Sequence, residues 1–148
     1  MNTKEEFFKW ERDKRKIFDE FYKSKGWECK RISGKANKDY DCLLFVNNEW
    51  KKVEEKFLSK DYGYLLVETI QDTETNDPGW LYYTKADYIF WGFEDTIYQI
   101  DMNKLLPFVE KHGDKFNKKI SVKGWGRTEN IAIPWYTIID NKIGERVK

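Results

Sequence analysis

Histidine and cysteine are scarce in this chain: His112 is the only histidine, and Cys29 and Cys42 are the only cysteines. Structural zinc sites take their ligands mainly from these two residue types, so the sequence argues against a zinc protein. A disulfide framework is also unexpected, because such frameworks belong to small secreted chains rich in cysteine. We therefore expect two reduced thiols, and for His112 a surface position rather than a catalytic one.

Long apolar runs are lacking as well. The N-terminal residues include several bases but no uninterrupted apolar segment of the signal-peptide type, and no run approaches the length that spans a bilayer. We therefore expect a cytoplasmic protein with no membrane partner. Aromatic residues, in contrast, make up 18% of the 148 residues, and 40% are hydrophobic. This is enough for one sizeable core, so residues 1–148 are expected to form a single domain.

The net charge of +1 hides a segregation of charge along the chain. Residues 1–38 contain 12 basic and 7 acidic residues, residues 39–114 contain 7 and 16, and residues 115–148 contain 8 and 3. An acidic centre between basic flanks suits a site that gathers carboxylates around a cation while its surroundings hold a polyanion. A chance mixture of solvated faces is the alternative interpretation.

Residues 3–25 are predicted to form an amphipathic helix that ends at Gly26. Glu11 and Lys14 fall within its apolar stripe, a costly position unless they face a polar cavity. Glu11 is therefore a candidate site residue, and the alternative is that either side chain reaches solvent from the edge of the stripe.

The remaining pattern predicts an α/β fold with a central mixed sheet flanked by helices. Asn47-Asn48 is the expected turn of a hairpin. The predicted strands are 41–46, 51–58, 64–70, 88–93, 96–100 and 130–133, the predicted helices are 80–87 and 103–112, and a basic hairpin surrounds residues 124–126.

Three residues of the predicted hairpin carry the chemistry. Side chains alternate faces along a strand, so Glu54 and Lys56 share a face, and Asp41 can reach it across the hairpin. Carboxylate oxygens suit Mg²⁺, which takes one or two carboxylates and keeps several waters. Such an ion activates water for phosphodiester hydrolysis, and a lysine can position or help deprotonate that water. An E-x-K pattern alone is weak, because exposed charge pairs on strands are common.

The order of motifs resembles the PD-(D/E)XK nuclease superfamily, in particular its small phage and bacterial members. That pattern has an Asp on one strand, a hydrophobic-Glu-x-Lys on the next, and an apolar strand that ends in Glu. A Gly-containing loop and a Thr-x-Ala-Asp segment follow. The matching residues lie within about 40–105: Asp41, Val53-Glu54-Glu55-Lys56-Phe57, Leu65-Leu66-Val67-Glu68, Pro78-Gly79-Trp80 and Thr84-Lys85-Ala86-Asp87.

The resemblance implies a restriction-endonuclease-like fold and a Mg²⁺-dependent nuclease, with Mn²⁺ as a substitute metal. Asp41 and Glu54 would be metal ligands, Lys56 the catalytic lysine, and Glu68 a second acidic contributor. The family's first helix often supplies a glutamate to the same site, which gives Glu11 this role. The backbone carbonyl of Glu55 is a further candidate ligand. The Glu54-Glu55 doublet also leaves a second register open, in which Glu55 instead of Glu54 accompanies Lys56.

DNA would be held by the basic flanks. Trp125 either stacks on a base, wedges into a groove or folds back on the core. Thr84 and Asp87 have an ordinary alternative as capping and loop-fixing residues, and Gln71 either contacts substrate or is an exposed strand-end residue. The candidate DNA-contacting residues are Lys9, Lys14, Arg15, Lys16, Lys118, Lys119, Lys123, Trp125 and Arg127.

Two other function classes remain open. One is a catalytically silent protein of the nuclease fold that binds DNA or protein, such as a phage inhibitor of host defence. The other is a partner-binding module whose aromatic surface around Trp80, Tyr82, Tyr83 and Trp91 is an interface. A homodimer would supply two active sites, as in many nucleases that cut both strands.

Overall fold

The computed structural model of the chain describes residues 3–32, 39–123 and 126–148. Its helices are α1 (Lys4–Ser24), α2 (Trp80–Tyr83), α3 (Met102–His112) and α4 (Trp135–Asp140), and a 3-10 turn covers Gly113–Lys115. Its strands are β1 (Glu28–Arg31), β2 (Cys42–Val46), β3 (Glu49–Leu58), β4 (Tyr64–Asp72), β5 (Asp77–Pro78), β6 (Tyr88–Phe93), β7 (Thr96–Asp101), β8 (Asn117–Lys123), β9 (Gly126–Pro134) and β10 (Gly144–Arg146).

Helix α1 begins and ends at residues suited to those positions. The Thr3 side chain accepts a hydrogen bond from the Glu6 amide at 3.1 Å, which satisfies one of the free N–H groups of the first turn. Gly26 follows the helix with φ +73°, a conformation that other residues rarely adopt. Phe18, Phe21 and Tyr22 form the buried face of the last turns, so α1 is fixed most firmly near its C-terminal end.

A mixed sheet with strand order β1-β2-β3-β6-β7-β10 forms the centre of the molecule. Neighbouring strands are antiparallel except β3 and β6, which pair in parallel from Val53↔Tyr88 to Leu58↔Phe93. A parallel pair needs a long crossover connection. Here that connection contains β4, β5 and α2, which places them on one face of the sheet.

The second sheet has the order β5-β4-β9-β8 and is antiparallel. Its buried side chains Val67 and Ile131 pack with Ile89 and Trp91 of β6 in one apolar cluster. Phe90, between those two β6 residues, points to the opposite face and packs against α1. The six-stranded sheet is therefore covered by α1 on one face and by the second sheet on the other.

The expected α/β class with a mixed sheet is confirmed, and the second sheet is an addition that the sequence did not predict. The strand predicted at 64–70 lies in that second sheet as β4, and the basic hairpin continues into the predicted strand 130–133 as one strand, β9. The helix predicted at 80–87 ends at Tyr83. Strands β1, β5 and β10 and helix α4 were not predicted.

None of the helices in the described part of the chain is both long enough and apolar enough to cross a membrane.

Candidate active site

The β2–β3 hairpin brings Asp41 to the backbone of β3. Asn47 and Asn48 both have positive φ angles, 53° and 65°, as a tight two-residue hairpin turn requires. This turn sets the register Cys42↔Val53. The Asp41 amide then donates to the Val53 carbonyl at 2.8 Å, and Asp41 Oδ2 accepts from the Glu55 amide at 2.7 Å. Two backbone contacts thus hold Asp41 where β2 begins.

Glu54 and Lys56 share a face of β3, as their alternation predicts. Lys56 Nζ lies 3.9 Å from Glu54 Oε1, and the Thr84 hydroxyl donates to Glu54 Oε2 at 2.8 Å. Burial raises the pKa of the Glu54 carboxyl; Lys56 and Thr84 oppose that rise, and the negative charge of Asp41 adds to it. The charge of Asp41 therefore acts on the Glu54 carboxyl, and an amine lies beside that carboxyl.

Glu55 points to the opposite face, which settles the doubt about register left by the Glu54-Glu55 doublet. Its buried carboxylate accepts hydrogen bonds from Tyr22 Oη at 2.5 Å and from Arg31 Nη1 and Nη2 at 2.7 and 3.1 Å. Burial raises the pKa of Glu55, and the bonds from Arg31 and Tyr22 oppose the rise. Arg31 also donates to Asp19 Oδ1 at 2.7 Å. The Glu55 side chain is thus part of a structural network that joins α1, β1 and β3.

Glu68 of β4 lies at the start of α2. Its Oε1 accepts from the Trp80 amide at 3.2 Å. Lys56 Nζ lies 5.7 Å from the centre of the Trp80 ring, so Trp80 connects Glu68 with the lysine. Gly79 makes this approach feasible, because a Cβ atom there would lie 2.3 Å from the Glu68 carbonyl oxygen. The glycine of the Pro-Gly-Trp segment is therefore required by the close contact of α2 with β4.

Helix α1 contributes the charged side chains that its wheel placed within the apolar stripe. Glu11, Lys14 and Arg15 line a small cavity of about 80 Å³ together with Asp41 and, from the buried network, Glu55. Lys14 Nζ lies 3.9 Å from Glu11 Oε2. The positive charge of Lys14 also lowers the pKa of Glu54. Glu11 and Lys14 thus line a polar cavity, as one of the two interpretations of their positions in the stripe expects.

The other candidate DNA contacts lie apart from this cavity. Lys118 of β8 pairs with Glu129 at 3.2 Å, Lys119 Nζ lies 5.9 Å from the Tyr64 ring centre, and Arg127 of β9 is exposed. The Lys123 side chain and Trp125 lie outside the described residues. Lys9 and Lys16 are exposed on α1, and Gln71 is exposed near the end of β4.

His112 and Asp87 make contacts that hold neighbouring segments together. His112 is half-buried, with its ring 5.1 Å from that of Phe108 and its Nδ1 3.2 Å from Lys115 Nζ. Asp87 accepts from the Lys52 amide at 2.9 Å, so it fixes the loop before β6 to β3. Thr84 contacts both the site and its own loop: its hydroxyl donates to Glu54 and also accepts from the Ala86 amide at 3.2 Å.

Sequence reasoning missed Tyr22 and Arg31 as partners of Glu55. Nothing local in the chain indicates either contact, since Tyr22 reads as one more apolar residue of α1 and Arg31 as a base before a polar loop. A buried acidic residue on the core side of β3 is the one available signal. A carboxylate there requires donors from whichever elements cover that face.

The donor set can be compared with what a metal ion needs. Among residues 3–32, 39–123 and 126–148, no group of three or more His, Cys, Asp or Glu side chains is arranged to hold an ion. Asp41 and Glu54 would offer two carboxylates, and Mg²⁺ commonly takes one or two carboxylates and completes its shell with water and phosphate oxygens. The residues present therefore fit Mg²⁺ with a mainly water and substrate shell.

A larger cavity of about 450 Å³ lies away from Asp41, Glu54 and Lys56, between β7, β10 and neighbouring elements. Comparisons of the chain with protein-family models, with curated proteins and with solved structures found no match.

Proposed function

We propose that this chain is a Mg²⁺-dependent deoxyribonuclease, an endonuclease that hydrolyses phosphodiester bonds of DNA. The observation that carries the proposal is the grouping of Asp41, Glu54 and Lys56 around β3, with Glu54 and Lys56 on one face of the strand. Asp41 is held there by the Glu55 amide, and Glu54 lies between Thr84 and Lys56. Two carboxylates and an amine in one place are the side chains that metal-assisted phosphodiester hydrolysis uses.

Each residue has a role that follows from its contacts. Asp41 and Glu54 would hold Mg²⁺, which when bound activates a water and offsets charge on the phosphate. Lys56 would orient the attacking water and hold or accept its proton at Nζ. Thr84 keeps one Glu54 oxygen in place, which leaves the other directed toward Lys56.

Substrate contacts come from the surroundings of the site. Lys14 and Arg15 line the cavity beside Asp41, where they would contact the DNA phosphates. Glu11 in the same cavity and Glu68 beside Trp80 are the further acidic contributors. The Glu55 side chain is committed to Arg31, so its part in the metal shell is proposed for its backbone carbonyl alone.

The proposal extends to the fold type. A restriction-endonuclease-like fold is supported by a hairpin that carries the acidic residues, a parallel neighbour β6 and a helix α1 across the sheet. A phage or bacterial origin, a cytoplasmic location and a homodimer that cuts both strands are proposed with it.

Incubation with supercoiled plasmid tests the activity. We expect nicking or linearisation with Mg²⁺ or Mn²⁺ and none with EDTA. Lys56→Ala and Glu54→Gln are expected to lower the rate about 10²- to 10⁴-fold, because proton transfer and charge stabilisation are lost. Lys51→Ala is a matched control: Lys51 lies on the same strand, pairs with Glu49 and is expected to have no effect.

Metal binding provides a second readout. Mg²⁺ should raise the unfolding midpoint of the wild type but not of Glu54→Gln, since an ion that binds only the folded state stabilises it. DNA binding without cleavage in any divalent metal would reject the enzyme and favour the catalytically silent binding protein.

A further inference from the structure

A second pocket, of about 360 Å³, lies next to the proposed active site. Its floor consists of Leu58 from the end of β3 and Leu66 from β4. Tyr62 and Tyr64 form one wall, and Lys119 and Ile120 of the edge strand β8 form another. Two segments that are distant in sequence, residues 58–66 and 119–121, thus build this pocket, and none of its residues belongs to the hydrolytic grouping.

The pocket lies beside the proposed active site, as the positions of its residues on β3 and on β4 each indicate. Leu58 follows Lys56 by two residues on β3, and Leu66 precedes Glu68 by two residues on β4. Side chains two apart on a strand share a face and are separated by about 7 Å. Trp80 contacts both site residues, because Lys56 lies over its ring and its amide donates to Glu68. A nucleotide next to one bound at Lys56 therefore reaches the pocket.

The chemistry of the pocket suits a nucleobase. The Tyr62 and Tyr64 rings lie 6.1 Å apart, and 45% of Tyr62 and 53% of Ile120 are exposed, so flat apolar surface is available to a ligand. Lys60 Nζ lies 4.9 Å from the centre of the Tyr62 ring, and Lys119 Nζ lies 5.9 Å from that of Tyr64. Aromatic platforms beside flexible cations are the features that bind single-stranded nucleic acid: bases stack on the rings, and lysines meet the phosphates.

We infer that this pocket holds an unpaired base of the nucleotide adjacent to the scissile phosphate. The inference rests on the proposed nuclease function, and it names the substrate class as DNA that is single-stranded beside the cut. In a duplex each base is stacked and paired within the helix, so its faces are covered. Only an unpaired base can place its face on Tyr62, and Lys60 and Lys119 supply the charge that complements its backbone.

Binding in EDTA tests the pocket separately from catalysis. A labelled 12-nucleotide dT strand and an abasic strand with the same phosphates are titrated with the protein, and anisotropy is measured. The wild type is expected to prefer the dT strand. Tyr62→Ala should weaken dT binding by about 5- to 150-fold, the range for loss of a stacked base, and leave the abasic strand unaffected. Tyr62→Phe keeps the ring and should bind within about twofold of wild type.

Trp50→Ala is the matched control. Trp50 is an exposed ring with a lysine over it, Lys30 at 4.5 Å, but it lies at the far end of β3. The Trp50→Ala variant should bind both the dT strand and the abasic strand with the affinity of the wild type. Equal affinity of the wild type for the dT and abasic strands overturns the inference, and so does an unchanged affinity of Tyr62→Ala, which would leave the pocket to a protein partner.

The two failures are distinguishable. Divalent-dependent plasmid cleavage together with Tyr62-independent binding rejects the base pocket alone. Tyr62-dependent preference for dT without cleavage of either the plasmid or the dT strand in any divalent metal rejects the hydrolytic proposal alone.

Discussion

Thr84, in the loop after α2, contacts the carboxylate of Glu54, the proposed metal ligand. Its hydroxyl donates to Glu54 Oε2 at 2.8 Å and accepts from the Ala86 amide at 3.2 Å, so the backbone fixes its orientation. The hydrogen bond favours the charged form of a carboxylate that burial disfavours. Thr84 thus favours the ionised form of Glu54, which is the form that holds a cation.

The acidic limb of the pH–rate profile tests this role of Thr84. Burial raises the pKa of Glu54 in the metal-free protein, so at subsaturating Mg²⁺ activity should fall, as pH decreases, at a pH above the ordinary glutamate value. Thr84→Val removes a donor that lowers this pKa, and the limb in kcat/KM should move to higher pH. Thr84→Ser keeps the hydroxyl and should leave the limb in place. A Thr84→Val limb that coincides with the wild type would show that Thr84 does not act on Glu54.

At the scale of single residues, the sequence predicted that Glu54 and Lys56 lie together but not which other residues they contact. Strand alternation alone places Glu54 with Lys56, and the structure confirms this through their 3.9 Å contact. The contact between Thr84 and Glu54 joins residues 30 positions apart, and no periodicity reports it. The roles of Asp41, Glu54 and Lys56 in hydrolysis remain predictions.

Among the elements, β1 joins α1 to the sheet although it has only four residues. Its last residue, Arg31, donates to Glu55 of β3 and to Asp19 of α1. Partial burial alone would lower the pKa of Arg31, but its bonds to Glu55 raise it, so the guanidinium stays charged. A strand of four residues thereby fastens α1 to the sheet beside the cavity that contains Asp41.

Loss of Arg31 should therefore destabilise the fold. Within the described residues, Arg31→Met leaves the buried Glu55 carboxylate with the Tyr22 hydroxyl as its remaining side-chain donor, and we expect the free energy of unfolding in urea to fall by about 2–4 kcal/mol. The double variant Arg31→Met with Glu55→Gln should recover part of this loss, because no buried charge remains. Lys30→Met is the control: its side chain lies over an exposed ring and should cost less than about 1 kcal/mol. Equal stability of Arg31→Met and Lys30→Met would contradict the network.

Elements that are long or have clear local signals were predicted from the sequence, and short strands without such signals were not. Helix α1 and the β2–β3 hairpin have strong signals, an apolar stripe with Gly26 at its end and an Asn-Asn turn, and both were predicted. Strands β1 and β10 have four and three residues of mixed polarity, and long-range pairing with β2 and β7 forms them. Helix α4 was missed because its sequence WYTIID contains residues that favour strands.

For the whole molecule, the division into two sheets is what the sequence could not predict. Alternation indicates which face of β4 is apolar, but it does not indicate which strands are its neighbours. Strand β4 pairs with β9, which is more than fifty residues away, instead of joining the hairpin that precedes it. As a result the basic hairpin of β8 and β9 lies beside β4, where Lys119 and Ile120 complete the second pocket.

The dependence of DNA binding on salt tests how charge is distributed over the molecule. The basic flanks of the sequence lie on two surfaces: Lys14 and Arg15 beside Asp41, and Lys119 beside Tyr64. Each lysine that neutralises a phosphate of a single strand adds about 0.7 to the slope of log affinity against log salt. Lys119→Gln should reduce this slope for the dT strand by about that amount. Lys104→Gln, on α3 beside the separate 450 Å³ cavity, should leave it unchanged. Equal slopes for both variants would mean that Lys119 contacts no phosphate and that the strand does not pass β8.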